Sequence, residues 1–98
     1  MSTTEENFPL HQAASAGKLD VVQDLLAKGG DKDEKNSKGL TPLITAIISN
    51  HLNVVECLLE QGAEMDMADN SGHTPFFYAV VFNHTANTLE LQVRLTAY

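Results

Sequence analysis

The chain has 98 residues and a mass of 10.7 kDa, which is the size of a single domain. Its apolar share of 43% and charged share of 19% are typical of a globular chain and exclude a disordered one. No apolar run reaches the ~18 residues of a membrane-spanning helix, and the first residues lack the basic and apolar regions of a secretory signal. We therefore expect a protein of the cytoplasm, or of the nucleus, with no membrane partner.

Charge and cysteine content exclude further classes of protein. Six basic residues stand against 13 acidic ones, a net charge of −7, whereas nucleic-acid binding needs clustered Lys and Arg. The single cysteine, Cys57, allows neither an internal disulfide nor a cysteine-based zinc site. We expect no nucleic-acid partner, no metal and no cofactor.

An internal repeat organises the whole chain. The three prolines, Pro9, Pro42 and Pro75, are equally spaced, and about a third of the positions are identical when 7–39 is aligned with 40–72. This self-similarity predicts a repeat array within one domain, 1–98. Its units are repeat 1 (7–39), repeat 2 (40–72) and a divergent or incomplete repeat 3 (73–98).

Each unit opens with a predicted inner helix. In Thr41-Pro42 and Thr74-Pro75 the hydroxyl can cap the helix and proline occupies its first position, whereas Phe8 provides no such cap before Pro9. In the second unit, the spacing of Leu43, Ala46 and Ile47 indicates the buried face of this helix. The turn that follows needs a positive φ, which suits the residues at this position: Gly17, Asn50 and Asn83.

A predicted outer helix follows each turn. We expect it to begin at Asp20 and at Asn53, each with a capping-box partner three residues later, Gln23 and Glu56. Gly29 and Gly62 end these helices, and the polar, turn-rich segments 29–39 and 62–72 form finger-like loops.

The last segment allows two interpretations. If one residue is inserted before Asn87, Asn87, Leu89 and Val93 take the places of Asn53, Val55 and Leu59, and an outer helix runs from about Asn87 to Leu95. The alternation of apolar and polar residues over 89–95 equally fits a half-buried strand. The repeat context favours the helix without deciding between the two.

These residues resemble the ankyrin repeat. The resemblance rests on Thr41-Pro42-Leu43, Ala46, Asn50-His51, Val54-Val55, Leu58-Leu59 and Gly62-Ala63, and it covers about residues 7–86. It implies an all-α solenoid of stacked helix-loop-helix units with β-turn or hairpin fingers. The family's histidine after Thr-Pro-Leu, which links adjacent fingers, is present only as His11. Ile44 and Phe77 replace it in the later units.

No set of residues predicts catalysis. His51 and His84 occupy a structural turn of the repeat, and Cys57 lies inside an apolar helical stripe. Asp31 and Asp33 start like a calcium loop, but the glycine and glutamate that such a loop needs are missing. We therefore expect a non-enzymatic protein.

The resemblance also implies a binding surface. It consists of outward-facing residues of the fingers and inner helices: Ser15, Ala16, Ser37, Lys38, Leu40, Ile48, Ser49, Asn70, Ser71, His73, Val81 and Phe82. Among the clustered aromatics we expect Phe76 and Tyr78 to fill the end of the core, and Phe82 to remain exposed with Val81 as a contact site.

The predicted function is binding of another protein, as an adaptor or inhibitor, with a basic partner favoured by the net charge of −7. Two alternatives remain. The incomplete third repeat could mediate a weak homodimer, or the chain could be a fragment of a longer array.

Overall fold

A computed structural model describes residues 8–95, so residues 1–7 and 96–98 of the predicted domain lie outside the described residues. Within 8–95 the chain forms α-helices and no strand: α1 (Pro9–Ala16), α2 (Leu19–Ala27), α3 (Pro42–Ile48), α4 (Leu52–Glu60), α5 (Pro75–Val81) and α6 (Thr85–Leu95). The predicted all-α fold is therefore confirmed, and the segment before residue 96 is a helix rather than a strand.

The helices form three stacked pairs. Inner helix α3 packs between α1 and α5, and outer helix α4 packs between α2 and α6. Each inner helix also packs against the outer helix that follows it in the chain. The repeat boundaries at 39/40 and 72/73 remain predictions, while the stacking itself gives a body of about 41 × 29 × 20 Å.

The core lies between the pairs. In the middle pair the side chains of Leu43, Ile47, Val54, Val55 and Leu58 are completely buried. Within residues 8–95 this pair has a neighbouring pair on both sides, whereas each end pair has one on a single side. A small alanine recurs at the same position of the three inner helices, at Ala13, Ala46 and Ala79, each at most 4% exposed.

The inner helices begin as the sequence predicts. The Thr41 hydroxyl accepts from the Ile44 N–H at 3.3 Å, and the Thr74 hydroxyl accepts from the Phe77 N–H at 3.4 Å. Phe8 makes no capping hydrogen bond to α1. The turns after these helices have positive φ, 74° at Gly17, 62° at Asn50 and 58° at Asn83.

The predicted starts of the outer helices are wrong. α2 and α4 begin at Leu19 and Leu52, one residue before Asp20 and Asn53. The Asp20 carboxylate and the Asn53 amide oxygen each accept from the next backbone N–H instead of the third, so no capping box forms. The positive-φ turn is followed by a single linking residue and then by Leu19. Because Leu19 packs against the core, it lies inside the helix.

The inserted-residue alignment of α6 is also wrong. Asn87 and Leu91 are buried, at 0% and 1% exposure, whereas Leu89 and Val93 are exposed. The spacing of the first two units therefore continues without an insertion, and Asn87 takes the place of Val54. A polar residue fits this buried position because its Nδ2 donates to Asn50 Oδ1 at 2.9 Å.

Shortening one buried side chain of the middle pair tests the packing of the stacked core. Leu58 is completely buried in α4, so Leu58→Ala should lower the free energy of unfolding by ~2–5 kcal/mol. Glu60→Ala, at an exposed position of the same helix, should change it by less than ~0.5 kcal/mol. Urea denaturation measures both, and equal effects of the two variants would contradict this packing.

Candidate functional site

Histidines connect each unit to its neighbour. His51 Nε2 donates to the Ser15 carbonyl at 3.0 Å, and His84 Nε2 donates to the Ile48 carbonyl at 3.3 Å. The His51 ring lies so close to Gly17 that a Cβ there would be 2.6 Å from Nδ1. The prediction that His51 and His84 are structural is confirmed, because both rings fix the ends of preceding inner helices.

His11 links the first inner helix to the first finger. Its Nε2 donates to the Leu40 carbonyl at 2.7 Å, which confirms the hydrogen-bonding role predicted for it. In the second unit Ile44 replaces this histidine and is completely buried. Other contacts must therefore connect the two fingers.

The two fingers share one internal turn. The Asn36 amide oxygen accepts from the N–H groups of Lys38 and Leu40, each at 3.0 Å. At the equivalent position of the next finger, the Asp69 carboxylate accepts from the N–H groups of Ser71 and His73, each at 2.9 Å. Each finger tip is thus fixed by a single side chain, which holds the tip residues in repeated positions.

Asn70 joins the finger tips. Its backbone N–H donates to the Lys38 carbonyl, and its Nδ2 donates to the Ser37 carbonyl, both at 3.1 Å. Gly39 makes this approach possible, since a Cβ at that position would lie 2.6 Å from the Asn70 nitrogen. The predicted site residues Ser37, Lys38 and Asn70 therefore form one continuous row.

A groove lies between the first finger and inner helices α1 and α3. Its volume is about 370 Å³, and predicted site residues Ser15, Ala16, Lys38 and Leu40 line it. At its edge the hydroxyls of Ser15 and Ser49 are 3.2 Å apart, within hydrogen-bonding distance. Sequence reasoning missed Gln12 and Thr45 as lining residues, although their shared repeat position could have identified them.

Aromatic rings continue this surface on the third unit. His73 stacks on Phe77 with ring centroids 4.0 Å apart, and Tyr78 stacks with Phe82 at 6.0 Å. Phe76 and Tyr78 pack against the core, as predicted, while Phe82 remains 46% exposed and Val81 56% exposed. The apolar contact site that the sequence predicts is thus accessible.

All twelve predicted site residues are at least partly exposed to solvent. Leu40, Ile48, Ser49 and His73 are half-buried, and the other eight are exposed: Ser15, Ala16, Ser37, Lys38, Asn70, Ser71, Val81 and Phe82. The structure brings the first-finger and α1 members together at the groove. It places His73, Val81 and Phe82 at the aromatic end, so the site is an extended surface rather than a closed pocket.

A hydrogen bond between side chains supports the aromatic end. The Tyr78 hydroxyl donates to Asp69 Oδ2. Burial, together with this carboxylate, raises the pKa of Tyr78 to about 12, and the hydroxyl holds the pKa of Asp69 below its ordinary value. Asp69 thus fixes both the finger turn and an aromatic ring of α5, a double role that the sequence alone did not indicate.

The surroundings of Cys57 disfavour reaction of its thiol. Cys57 is buried, and burial and the nearby Glu60 carboxylate raise the pKa of its thiol, which disfavours the nucleophilic thiolate. Residues 8–95 contain no group of three or more His, Cys, Asp or Glu side chains that could hold a metal ion. Their helices also fall short of the length and hydropathy needed to cross a bilayer.

Comparison with known proteins shows what the chain is similar to. A family model described as ankyrin repeats, in three copies, matches residues 10–92. A stretch of 46 residues, 47% of this chain, is 46% identical to a Mus musculus protein named palmitoyltransferase ZDHHC13. That match spans only 7% of the length of the mouse protein.

Two glycines with similar backbones test the contact between finger tips. Gly39 and Gly72 have φ of 79° and 82°, but a Cβ at Gly72 would meet no atom within 4 Å. Gly72→Ala should cost ~1 kcal/mol of stability through backbone strain alone, and Gly39→Ala at least ~1 kcal/mol more. Urea denaturation measures the difference, and equal costs would show that the tips do not approach as described.

Alkaline titration tests the burial of the Tyr78 hydroxyl beside Asp69. The pKa of Tyr78 is about 12 in the folded chain against 10.0 for an ordinary tyrosine, so the neutral hydroxyl stabilises the fold below pH 10. This contribution is lost as the pH rises from about 10 to about 12. Relative to Tyr78→Phe, the wild type should lose about 2 kcal/mol of unfolding free energy over that range, after allowance for solvent screening. A constant difference between the two proteins would contradict the burial of this hydroxyl beside Asp69.

Proposed function

The chain belongs to the ankyrin repeat family, and we propose that it binds another protein through the concave surface formed by its fingers and inner helices. Ankyrin repeats are generally protein–protein interaction modules, which supports a binding role. The proposed contact residues are the twelve predicted from the sequence. The observation that carries the proposal is the accessible apolar end of this surface, at Val81 and Phe82, on the same array as the hydrogen-bonded finger tips.

Because the finger tips are already held in place, a partner can bind them with little loss of conformational entropy. Ser37, Lys38 and Asn70 are held by backbone hydrogen bonds within and between the fingers. A surface that is already ordered loses less conformational entropy on binding than a mobile loop. This arrangement supports a role in which the chain occupies or bridges surfaces, as an inhibitor or adaptor, without catalysis.

Charge indicates the chemistry of the partner. The second finger, 62–72, carries Glu64, Asp66 and Asp69 with no Lys or Arg, and the whole chain has a net charge of −7. A partner with a basic face is favoured, because opposite charges speed encounter. Basic side chains can also stack on the exposed ring of Phe82, which stacks with Tyr78, the hydrogen-bond partner of Asp69 in this finger.

The proposal draws little on the cellular location or on the similarity to the mouse protein. We place the interaction in the cytoplasm, or in the nucleus, on the basis of the sequence. Because the chain matches 7% of palmitoyltransferase ZDHHC13, we assign it no palmitoyl transfer. The proposed role is binding alone.

Capture with a matched variant tests the proposal. Proteins from a cytoplasmic extract are captured on the immobilised chain and on Phe82→Ala, and quantitative mass spectrometry identifies those that the wild type enriches. The affinity of the purified partner is then measured by calorimetry. Because Phe82 is 46% exposed, its truncation should leave the melting temperature near that of wild type while weakening binding about ten-fold or more.

A control variant locates the binding face. Gln23→Ala, at an exposed position of outer helix α2, should leave the affinity unchanged. Association with a basic partner should also slow as salt rises. Unchanged affinity for Phe82→Ala combined with loss for Gln23→Ala would place binding on the other side of the array and contradict the proposal.

A further inference from the structure

One position of the outer helices is covered by the preceding unit. By the spacing of the repeat, Val21, Val54 and Asn87 are equivalent. Val21, in the first described pair, is 39% exposed, whereas Val54 and Asn87 are completely buried. Asn87 contacts the second unit directly, because its Nδ2 donates to Asn50 Oδ1. The surroundings of Asn87 are therefore set by the second unit rather than by the end of the array.

The two contacts between units differ at this position. We call the contact of the first and second units the first joint, and that of the second and third units the second joint. The second joint contains Asn50 and Asn87, whereas their equivalents in the first joint are Gly17 and Val54, which have no polar side-chain atom. Only half of the Asn87 amide is satisfied, since its Oδ1 is buried without a hydrogen-bond partner in residues 8–95.

The unpaired oxygen weakens the second joint. An amide oxygen that loses its hydration without gaining a partner raises the free energy of the closed state, and opening returns this oxygen to water. Val54 brings no such penalty to the first joint. The histidine hydrogen bond across the second joint is also the longer one, at 3.3 Å for His84 against 3.0 Å for His51.

We infer that the second joint is a weak point built into the array, at which α5 and α6 open together from the second unit. The two helices pack against each other, so they separate as one pair. Opening breaks the hydrogen bonds of Tyr78 to Asp69 and of His84 to Ile48, and it hydrates Asn87. Such local opening takes place in native conditions, at a lower free energy than global unfolding.

Opening of this joint affects the surface proposed for binding. Val81 is the last residue of α5 and Phe82 follows it, so both leave the finger tips when the pair opens. A partner that contacts the finger tips and Phe82 together then holds the joint closed. This consequence rests on the proposed function, whereas the opening itself is a property of the chain without a partner.

Native-state hydrogen exchange of the free chain and of Asn87→Val tests the inference. Valine is the residue at the equivalent position of both other units, and Asn50 is exposed, so it stays hydrated without Asn87. Amides of α5 and α6 should respond together, and Asn87→Val should slow their exchange about ten-fold or more. Exchange in α1 and α2 should change by less than about two-fold. Unchanged exchange in α5 and α6, or equal slowing in α1 and α2, would overturn the inference.

A matched control places the same amide where water reaches it. Val21→Asn introduces asparagine at the equivalent position of the first unit, which is 39% exposed. It should change the exchange of α1 and α2 by less than about three-fold, because the new amide keeps its hydration. A larger acceleration would show that the polarity of this position matters without burial, which contradicts the assigned cause.

A double-mutant cycle isolates the amide pair. Asn50→Gly introduces the residue of the first joint at a turn of similar φ, 62° against 74° at Gly17. In the wild type it removes the partner of Asn87 and should speed the exchange of α5 and α6 at least about five-fold. In the Asn87→Val background the change should stay below about two-fold. Equal changes in both backgrounds would overturn the inference, and circular dichroism verifies that each variant folds.

Discussion

The structure depends on contact between neighbouring helical pairs. Two helices as short as these cannot shield their own apolar side, so each pair gains its burial from the next. In the middle pair, Leu43, Ile47 and Leu58 are completely buried because units lie on both sides. The hydrogen bonds of His51 and His84 to the preceding inner helices hold the pairs at a fixed spacing. The spacing of the finger tips, and with it the arrangement of the proposed binding residues, follows from this stacking.

The repeat made most of the fold predictable. Thr-Pro pairs, positive-φ turns and paired leucines depend on local chemistry that recurs from unit to unit, and the helices follow them closely. Helix starts were less predictable, because Asp20 and Asn53 look like capping residues while the burial of Leu19 decides the start. The predicted alignment of α6 with the earlier outer helices was wrong for a related reason. The partner that makes Asn87 acceptable in a buried position, Asn50, belongs to another unit and is distant in the sequence.

The candidate site was predictable as a set of positions, but not as an arrangement. Repeat geometry indicates which positions face outward, and all twelve residues are exposed or half-buried. The sequence does not show that Asn70 spans the two fingers or that Asp69 holds Tyr78, because both contacts depend on how two elements pack in three dimensions. These contacts give the surface its rigidity, which the proposed binding role uses.

Native-state hydrogen exchange on the monomeric chain tests the stacking most directly. If each pair depends on its neighbours, amides of α3 and α4 should exchange most slowly, because their pair is covered on both sides, and amides of the end pairs should exchange faster. The relevant comparison is between equivalent positions, such as Leu25, Leu58 and Leu91 in the three outer helices. Slower exchange in α1 and α2, or in α5 and α6, than in the middle pair would contradict the account.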